Sequence, residues 1–294
     1  MTIDPQALTW LRRTDPGAVA RAWRSRRPGV RRQSGRMLLI AADHPARGAL
    51  GARGDAHAMA SRTELLARMA TALSRPGVDG VLGTADILED LLLAGLLEGK
   101  VVIGSMNRGG LQGASFEVDD RFTGYDVPTI NAHRLDGGKM LTRICYDDPG
   151  TAATLEASGR AVSGLAASGK LALVEPFITV RRDADRVENL LDPDSVIRSI
   201  HIASGLGASS AHTWLKLPVV EDMERVLDAT TLPTLLLGGD PTGAPEATYA
   251  RWAGALACPA AAGLVVGRAL LYPLDSDVAA AVDVAAELVH GGGS

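Results

Sequence analysis

From residue 36 onward, short apolar runs alternate with longer stretches whose apolar positions recur at helical spacing. The runs cover 37–42, 80–82, 101–105, 140–145, 171–176, 213–217, 234–237 and 263–266. Helices are predicted between and after them at 62–74, 87–97, 152–167, 195–206, 220–229, 244–255 and 276–290. A strand that is apolar on both faces and followed by a helix belongs to a parallel sheet covered on both sides. Eight such repeats in a chain of 294 residues predict a closed (β/α)8 barrel rather than an open doubly wound sheet.

Two stretches break the rhythm. Residues 1–36 hold nine Arg and two Asp, a balance of +7, which leaves −11 for the rest of a chain whose formal charge is −4. Residues 5–27 read as one or two amphipathic helices, so 1–35 is expected as an N-terminal helical extension packed on the outside or closed end of a barrel over 36–291. A basic arm also suits nucleic acid, but an acidic barrel repels it, and no nucleic-acid partner is expected. The second break is 106–133, too polar and glycine-rich to be a packed helix throughout. It follows the third run, so it is expected on the rim of the barrel mouth, or as a plain surface excursion.

Composition narrows the class further. With 46% hydrophobic and 22% charged residues the chain is an ordinary globular one. Its apolar runs are too short to span a bilayer and no basic-then-apolar leader opens it, so a cytoplasmic protein without a membrane partner is expected. Cys145 and Cys258 lack disulfide or metal-site spacing, and no cofactor or metal is expected. Symmetric self-association is the default for such barrels, though nothing in the sequence selects its order.

Barrel enzymes carry their chemistry where strands end on the carboxyl-terminal face. Polar residues crowd those positions here: Asp43 and His44 after the first run, Ser105, Asn107 and Arg108 after the third, Lys139 and Arg143 around the fourth, Glu175 in the fifth and Lys216 in the sixth. Lys216 stands in the apolar segment Trp-Leu-Lys-Leu, where an ammonium is costly to keep charged. A desolvated lysine loses proton affinity, and a neutral amine is the nucleophile that makes a Schiff base with a carbonyl. The bland alternative is a strand-end lysine whose ammonium reaches water. Alternation turns Lys216 and Trp214 to the same side. Glu175 is the candidate base for a substrate hydroxyl, Asp43 for proton transfers during imine formation, and Lys139 for lowering the lysine pKa by like charge. Each has a bland reading: Asp43 and His44 as a strand cap, Glu175 as the partner of a barrel arginine, Lys139 as a closed-end residue. Gly238, Gly239, Gly267 and Arg268 follow the last two runs, where barrels hold phosphate; the alternative for Gly-Gly-Asp-Pro is a tight turn.

Together these segments resemble the class I, Schiff-base aldolases of the (β/α)8 superfamily. The resemblance rests on Leu-Leu-Ile-Ala-Ala-Asp-His at 38–44, Lys-Met-Leu-Thr-Arg-Ile-Cys-Tyr-Asp at 139–147, Val-Glu-Pro-Phe at 174–177, Trp-Leu-Lys-Leu at 214–217, Leu-Leu-Gly-Gly at 236–239 and Val-Val-Gly-Arg at 265–268. It implies an imine-forming Lys216, acid–base work by Asp43 and Glu175, support from Lys139, and phosphate binding by Gly238, Gly239, Gly267 and Arg268. Arg143, Asn107 and Ser105 are further candidates for substrate contact. A glutamate at the end of the fifth strand is similar to the tagatose-bisphosphate and sulfofructose-phosphate branch, whereas archaeal fructose-bisphosphate aldolases carry a tyrosine near that point.

The expected reaction is reversible cleavage of a phosphorylated ketose into dihydroxyacetone phosphate and an aldehyde. The chain is also similar to barrel aldolases associated with inositol breakdown, which suggests 5-dehydro-2-deoxy-phosphogluconate as a substrate. The alternatives are a deoxyribose-phosphate type of aldolase, a metal-dependent lyase or epimerase using His44, Glu175 and His212, and a sugar-phosphate-binding barrel without catalysis.

Overall fold

The structure is a computed structural model that describes residues 3–30, 32–108, 110–183, 186–239 and 243–291. Its strands are β1 (Met37–Ala42), β2 (Gly80–Gly83), β3 (Val101–Ser105), β4 (Gly137–Ile144), β5 (Leu171–Asp183), β6 (Arg186–Asn189), β7 (Thr213–Pro218), β8 (Thr234–Leu237) and β9 (Ala261–Val266). All except β6 pair in parallel in the order β4-β3-β2-β1-β9-β8-β7-β5, and a further β4–β5 ladder closes the ring into a (β/α)8 barrel. Strand β6 folds back antiparallel on the far end of β5.

Side-chain alternation divides the apolar residues into two bodies. Met37, Leu39, Leu82, Ile103, Leu173, Leu235 and Val265 point inward and fill the barrel, with Trp214 packed against them. Leu38, Ile40, Val81, Val174, Leu215, Leu217, Leu264 and Val266 point outward into the larger core under the helices. Among the described residues no helix is long and apolar enough to cross a membrane.

Strands at 37–42, 101–105 and 234–237 match the sequence reading residue for residue, as does the helix Arg62–Ser74. Strand β4 begins three residues earlier than 140, because Gly137 and Gly138 belong to the ladder rather than to a turn. A Cβ at Gly137 would lie 2.3 Å from the Leu171 carbonyl oxygen, so only glycine permits this pairing. The consequence for the site is direct: Lys139 lies within the barrel wall, paired in register with Ser105 and Leu173.

The arginine-rich extension forms two helices, Pro5–Thr14 and Gly17–Ser25. Arg12 pairs with Asp90 at 2.6 Å, and buried Arg26 donates to the carbonyls of Lys100 and Arg134, just before β3 and β4. Trp23 stacks on His133 with centroids 5.2 Å apart. Positive charge on the arm thus meets acids and carbonyls of the barrel.

The described part of the 106–133 segment is fastened on the mouth side of the barrel, where its Arg108 lines the cavity. Its backbone is tied to Arg47 through Gln112 and to Ser105 through Tyr125, and it ends in the helix Val127–Ala132.

Candidate active site

Asp43 ends β1 and opens the 3-10 turn His44–Arg47, which bends the chain over the barrel mouth. The turn brings Asp43, His44 and Arg47 to one cavity of about 390 Å³, lined also by Lys139 of β4, Glu175 of β5 and Lys216 of β7. Four ionisable groups meet there, away from water. Lys139 Nζ donates to Asp43 Oδ2 at 2.8 Å and lies 2.6 Å from Glu175 Oε2, and Lys216 Nζ lies 3.0 Å from Glu175 Oε1. The row runs Asp43, Lys139, Glu175, Lys216, with signs alternating, so each charge touches its opposite.

Their protonation follows from that order. Burial works to raise the Asp43 carboxyl, but Lys139 and Lys216 overcome it and hold the group well below the carboxylate range. Burial also works against the Glu175 anion, and the same two lysines bring it down to about 2. Lys139 faces two carboxylates, whose attraction exceeds its desolvation and raises its pKa above the lysine value. Lys216 has one direct carboxylate partner. Burial, aided by Lys139, prevails over Glu175 and Asp43, and its pKa falls. One lysine is thus fixed as a cation while the other is pushed toward the free amine.

Beyond this row the lining becomes basic: Arg47, Arg108, Arg251 and Arg268 face the cavity together with Gly238, Gly239 and Gly267. Gly239 has φ +65° and open space where a Cβ would stand, so its backbone can approach a ligand closely. Gly238 and Gly267 are hemmed in instead. A Cβ at Gly267 would lie 2.5 Å from the Ala41 carbonyl oxygen, so glycine there lets β9 sit against the end of β1. Arg268 is braced by the Gly51 carbonyl at 3.4 Å. Asp240 and Pro241 of the Gly-Gly-Asp-Pro segment lie outside the described residues.

The structure therefore gathers Asp43, Lys139, Glu175, Lys216, Gly238, Gly239, Gly267 and Arg268 at one cavity. Ser105, Asn107 and Arg143 are not in its lining. The Asn107 side chain bonds both the N–H and the carbonyl of Leu141, at 2.8 and 2.7 Å, acting as an extra piece of backbone beside β4. Ser105 donates to the Asn107 carbonyl at 2.7 Å. Arg143 is buried and donates to Glu117 at 2.5 Å, tying the 106–133 segment to the barrel. Arg47 and Arg251 escaped the sequence reading; a turn arginine and a helix arginine carry no sign of where they point. His212 precedes β7 at its amino-terminal end, opposite the carboxylate row, and its carbonyl accepts from Ala172. Among the described residues no group of three His, Cys, Asp or Glu could hold a metal ion.

Comparison with solved structures finds the same fold repeatedly. The crystal structure of Cgl0159 from Corynebacterium glutamicum is 54% identical over 97% of this chain and 96% of its own, with a TM-score of 0.94. An archaeal fructose 1,6-bisphosphate aldolase shares 18% identity over 93% of this chain and all of its own, TM-score 0.65. A Schiff-base-forming fructose-1,6-bisphosphate aldolase shares 20% over 92% of this chain and all of its own, TM-score 0.64. At such identity the two structures establish the (β/α)8 barrel fold. Comparison with curated proteins gives no match. A family model described as Cgl0159-like matches residues 35–286, nearly the whole barrel, and the chain belongs to the Cgl0159-like family.

Proposed function

We propose that the protein is a class I aldolase that cleaves a phosphorylated ketose reversibly into dihydroxyacetone phosphate and an aldehyde. One observation carries the reading: Lys216 is a buried amine, drawn below the ordinary lysine pKa, that opens on a cavity and touches a carboxylate at 3.0 Å. The solved aldolases that share the barrel, one of them described as Schiff-base forming, support it.

Lys216 Nζ attacks the substrate ketone and gives a carbinolamine. Glu175, beside that nitrogen, is placed to pass protons between the amine and the departing hydroxyl, so that water leaves and a protonated imine remains. The imine then accepts the electron pair of the adjacent carbon–carbon bond. Lys139 holds Asp43 and Glu175 as anions in fixed positions. Arg268, with the open backbone at Gly239, receives the phosphate at the end of the barrel nearest β8 and β9. A 5-dehydro-2-deoxy-phosphogluconate substrate fits this chemistry, with a ketone to form the imine and a phosphate to anchor it.

The test is a screen of phosphorylated ketoses for cleavage, and of aldehydes with dihydroxyacetone phosphate for condensation, with products identified by mass. Wild type is expected to turn over at least one pair, and K216M to lose at least about 10⁴-fold while keeping its fold, since methionine replaces the stem without the amine. Turnover in K216M near the wild-type rate contradicts the reading, as does loss of wild-type turnover on chelation.

A further inference from the structure

Cleavage of the carbon–carbon bond needs an acceptor for the proton of the adjacent hydroxyl. Glu175 is badly placed for that second task. Both of its oxygens face lysine nitrogens, Oε2 at 2.6 Å from the Lys139 cation and Oε1 at 3.0 Å from the Lys216 nitrogen that carries the imine. Asp43 Oδ2 is likewise held by Lys139, and its other oxygen, Oδ1, faces the His44 ring at 3.6 Å.

Among the described residues that line the cavity, His44 is the remaining base, and the steps above leave it without a task. Its ring lines the cavity. Its Nδ1 is buried without a hydrogen bond and faces Asp43 Oδ1, also buried without one, across 3.6 Å. That gap is too wide for a hydrogen bond, so the contact is electrostatic. A carboxylate behind Nδ1 favours the tautomer protonated there, which leaves the Nε2 lone pair for the cavity.

The ring is neutral at neutral pH. Burial outweighs Asp43 and, with Arg268, Lys216 and Arg47, holds the imidazole at about 3. What separates His44 from Glu175 is occupancy, since both Glu175 oxygens contact lysine nitrogens.

We propose that His44 Nε2, steadied from behind by Asp43, takes the substrate hydroxyl proton as the carbon–carbon bond breaks and returns it to the donor carbon. The proposal rests on the imine reading above. In cleavage the O–H bond breaks and Nε2–H forms, and the O–H electron pair becomes the second bond of the aldehyde carbonyl. The pair of the broken carbon–carbon bond moves into an enamine, and the imine electrons settle on the Lys216 nitrogen. Nε2–H then protonates the enamine carbon, restoring the imine, and water releases dihydroxyacetone phosphate. The proton leaves oxygen and ends on carbon, so nothing else is consumed.

Dihydroxyacetone phosphate alone tests this, because removal of a proton from the hydroxymethyl carbon of its imine is the last carbon step reversed. Two readouts are taken on wild type, H44Q, H44N and E175Q: borohydride-trapped adduct by mass, and exchange of that carbon-bound proton in D2O by NMR. Wild type is expected to do both. The two His44 variants are expected to trap within about threefold of wild type, which also reports an intact fold, but to exchange at least about 100-fold more slowly. E175Q is expected to lose trapping itself.

Exchange in H44Q and H44N within about threefold of wild type overturns the inference while leaving the imine reading in place. So does an E175Q that traps normally and loses exchange. No adduct in wild type overturns both.

Discussion

The inside of the barrel is two regions of opposite character stacked on each other. The floor is aliphatic, with Met37, Leu39, Leu82, Ile103, Leu173 and Leu235 buried together. Toward the mouth, just after β1 and on β4, β5 and β7, lie Asp43, Lys139, Glu175 and Lys216, all buried. Burial stabilises the floor outright, at about 25 cal/mol per Å² of apolar surface. In the upper layer burial costs free energy, and only the alternation of signs offsets it. The floor makes the barrel stable, and the upper layer spends part of that stability on groups whose proton affinities are displaced from their ordinary values.

Substitutions should separate the two regions. Replacing Lys139 by methionine removes the central cation and leaves two carboxylates with one lysine, which contacts only Glu175. A buried ion pair broken on one side typically costs about 3–5 kcal/mol, read by urea unfolding. The same change should raise the Lys216 pKa, since a repelling charge is gone while both carboxylates remain, so imine formation at neutral pH should fall as well. A stable K139M with wild-type trapping contradicts the assigned role.

The layer also sets an acid limit. Glu175 has a folded pKa of about 2, below its ordinary 4.5. Its contribution to stability is therefore present above the ordinary value and is lost as pH falls toward the folded one. Acid unfolding followed by circular dichroism should begin at higher pH in K139M than in wild type.

L39A tests the floor. A truncated buried leucine costs about 2–5 kcal/mol, and the pH dependence of trapping should stay that of wild type because no charge has moved. A shifted profile would mean that the floor positions the charges more tightly than their own contacts do. R268Q should have the smallest effect, raising KM for a phosphorylated substrate about 10- to 100-fold with little change in kcat, measured by steady-state kinetics.

The two regions were not equally legible in the sequence. Uninterrupted aliphatic runs such as 37–42 fix their strands to the residue, because period and length leave no competing reading. The start of strand β4 before the apolar run at 140 is hidden because Gly137 and Gly138 carry no hydrophobic signal, and only the neighbouring Leu171 carbonyl explains Gly137. Pro176 reads as the end of β5, yet that strand runs on to Asp183 and folds back as β6.

Within the site, Lys216 and Glu175 were legible because a charge in an apolar run needs a reason. The place of Lys139 depended on register, which sequence does not encode locally. Arg143, Asn107 and Ser105 resemble ligand contacts by type and position, but their hydrogen bonds fasten the 106–133 segment and the edge of β4.

The central claim is that the free amine of Lys216 is made available by its surroundings. Borohydride reduction with dihydroxyacetone phosphate across a pH series, with peptide mass mapping, measures this directly. The expected result is one adduct, on Lys216, whose yield rises with pH to a half-point below the value of about 10.4 for an ordinary lysine. An adduct on another residue, or a half-point at or above that value, contradicts it.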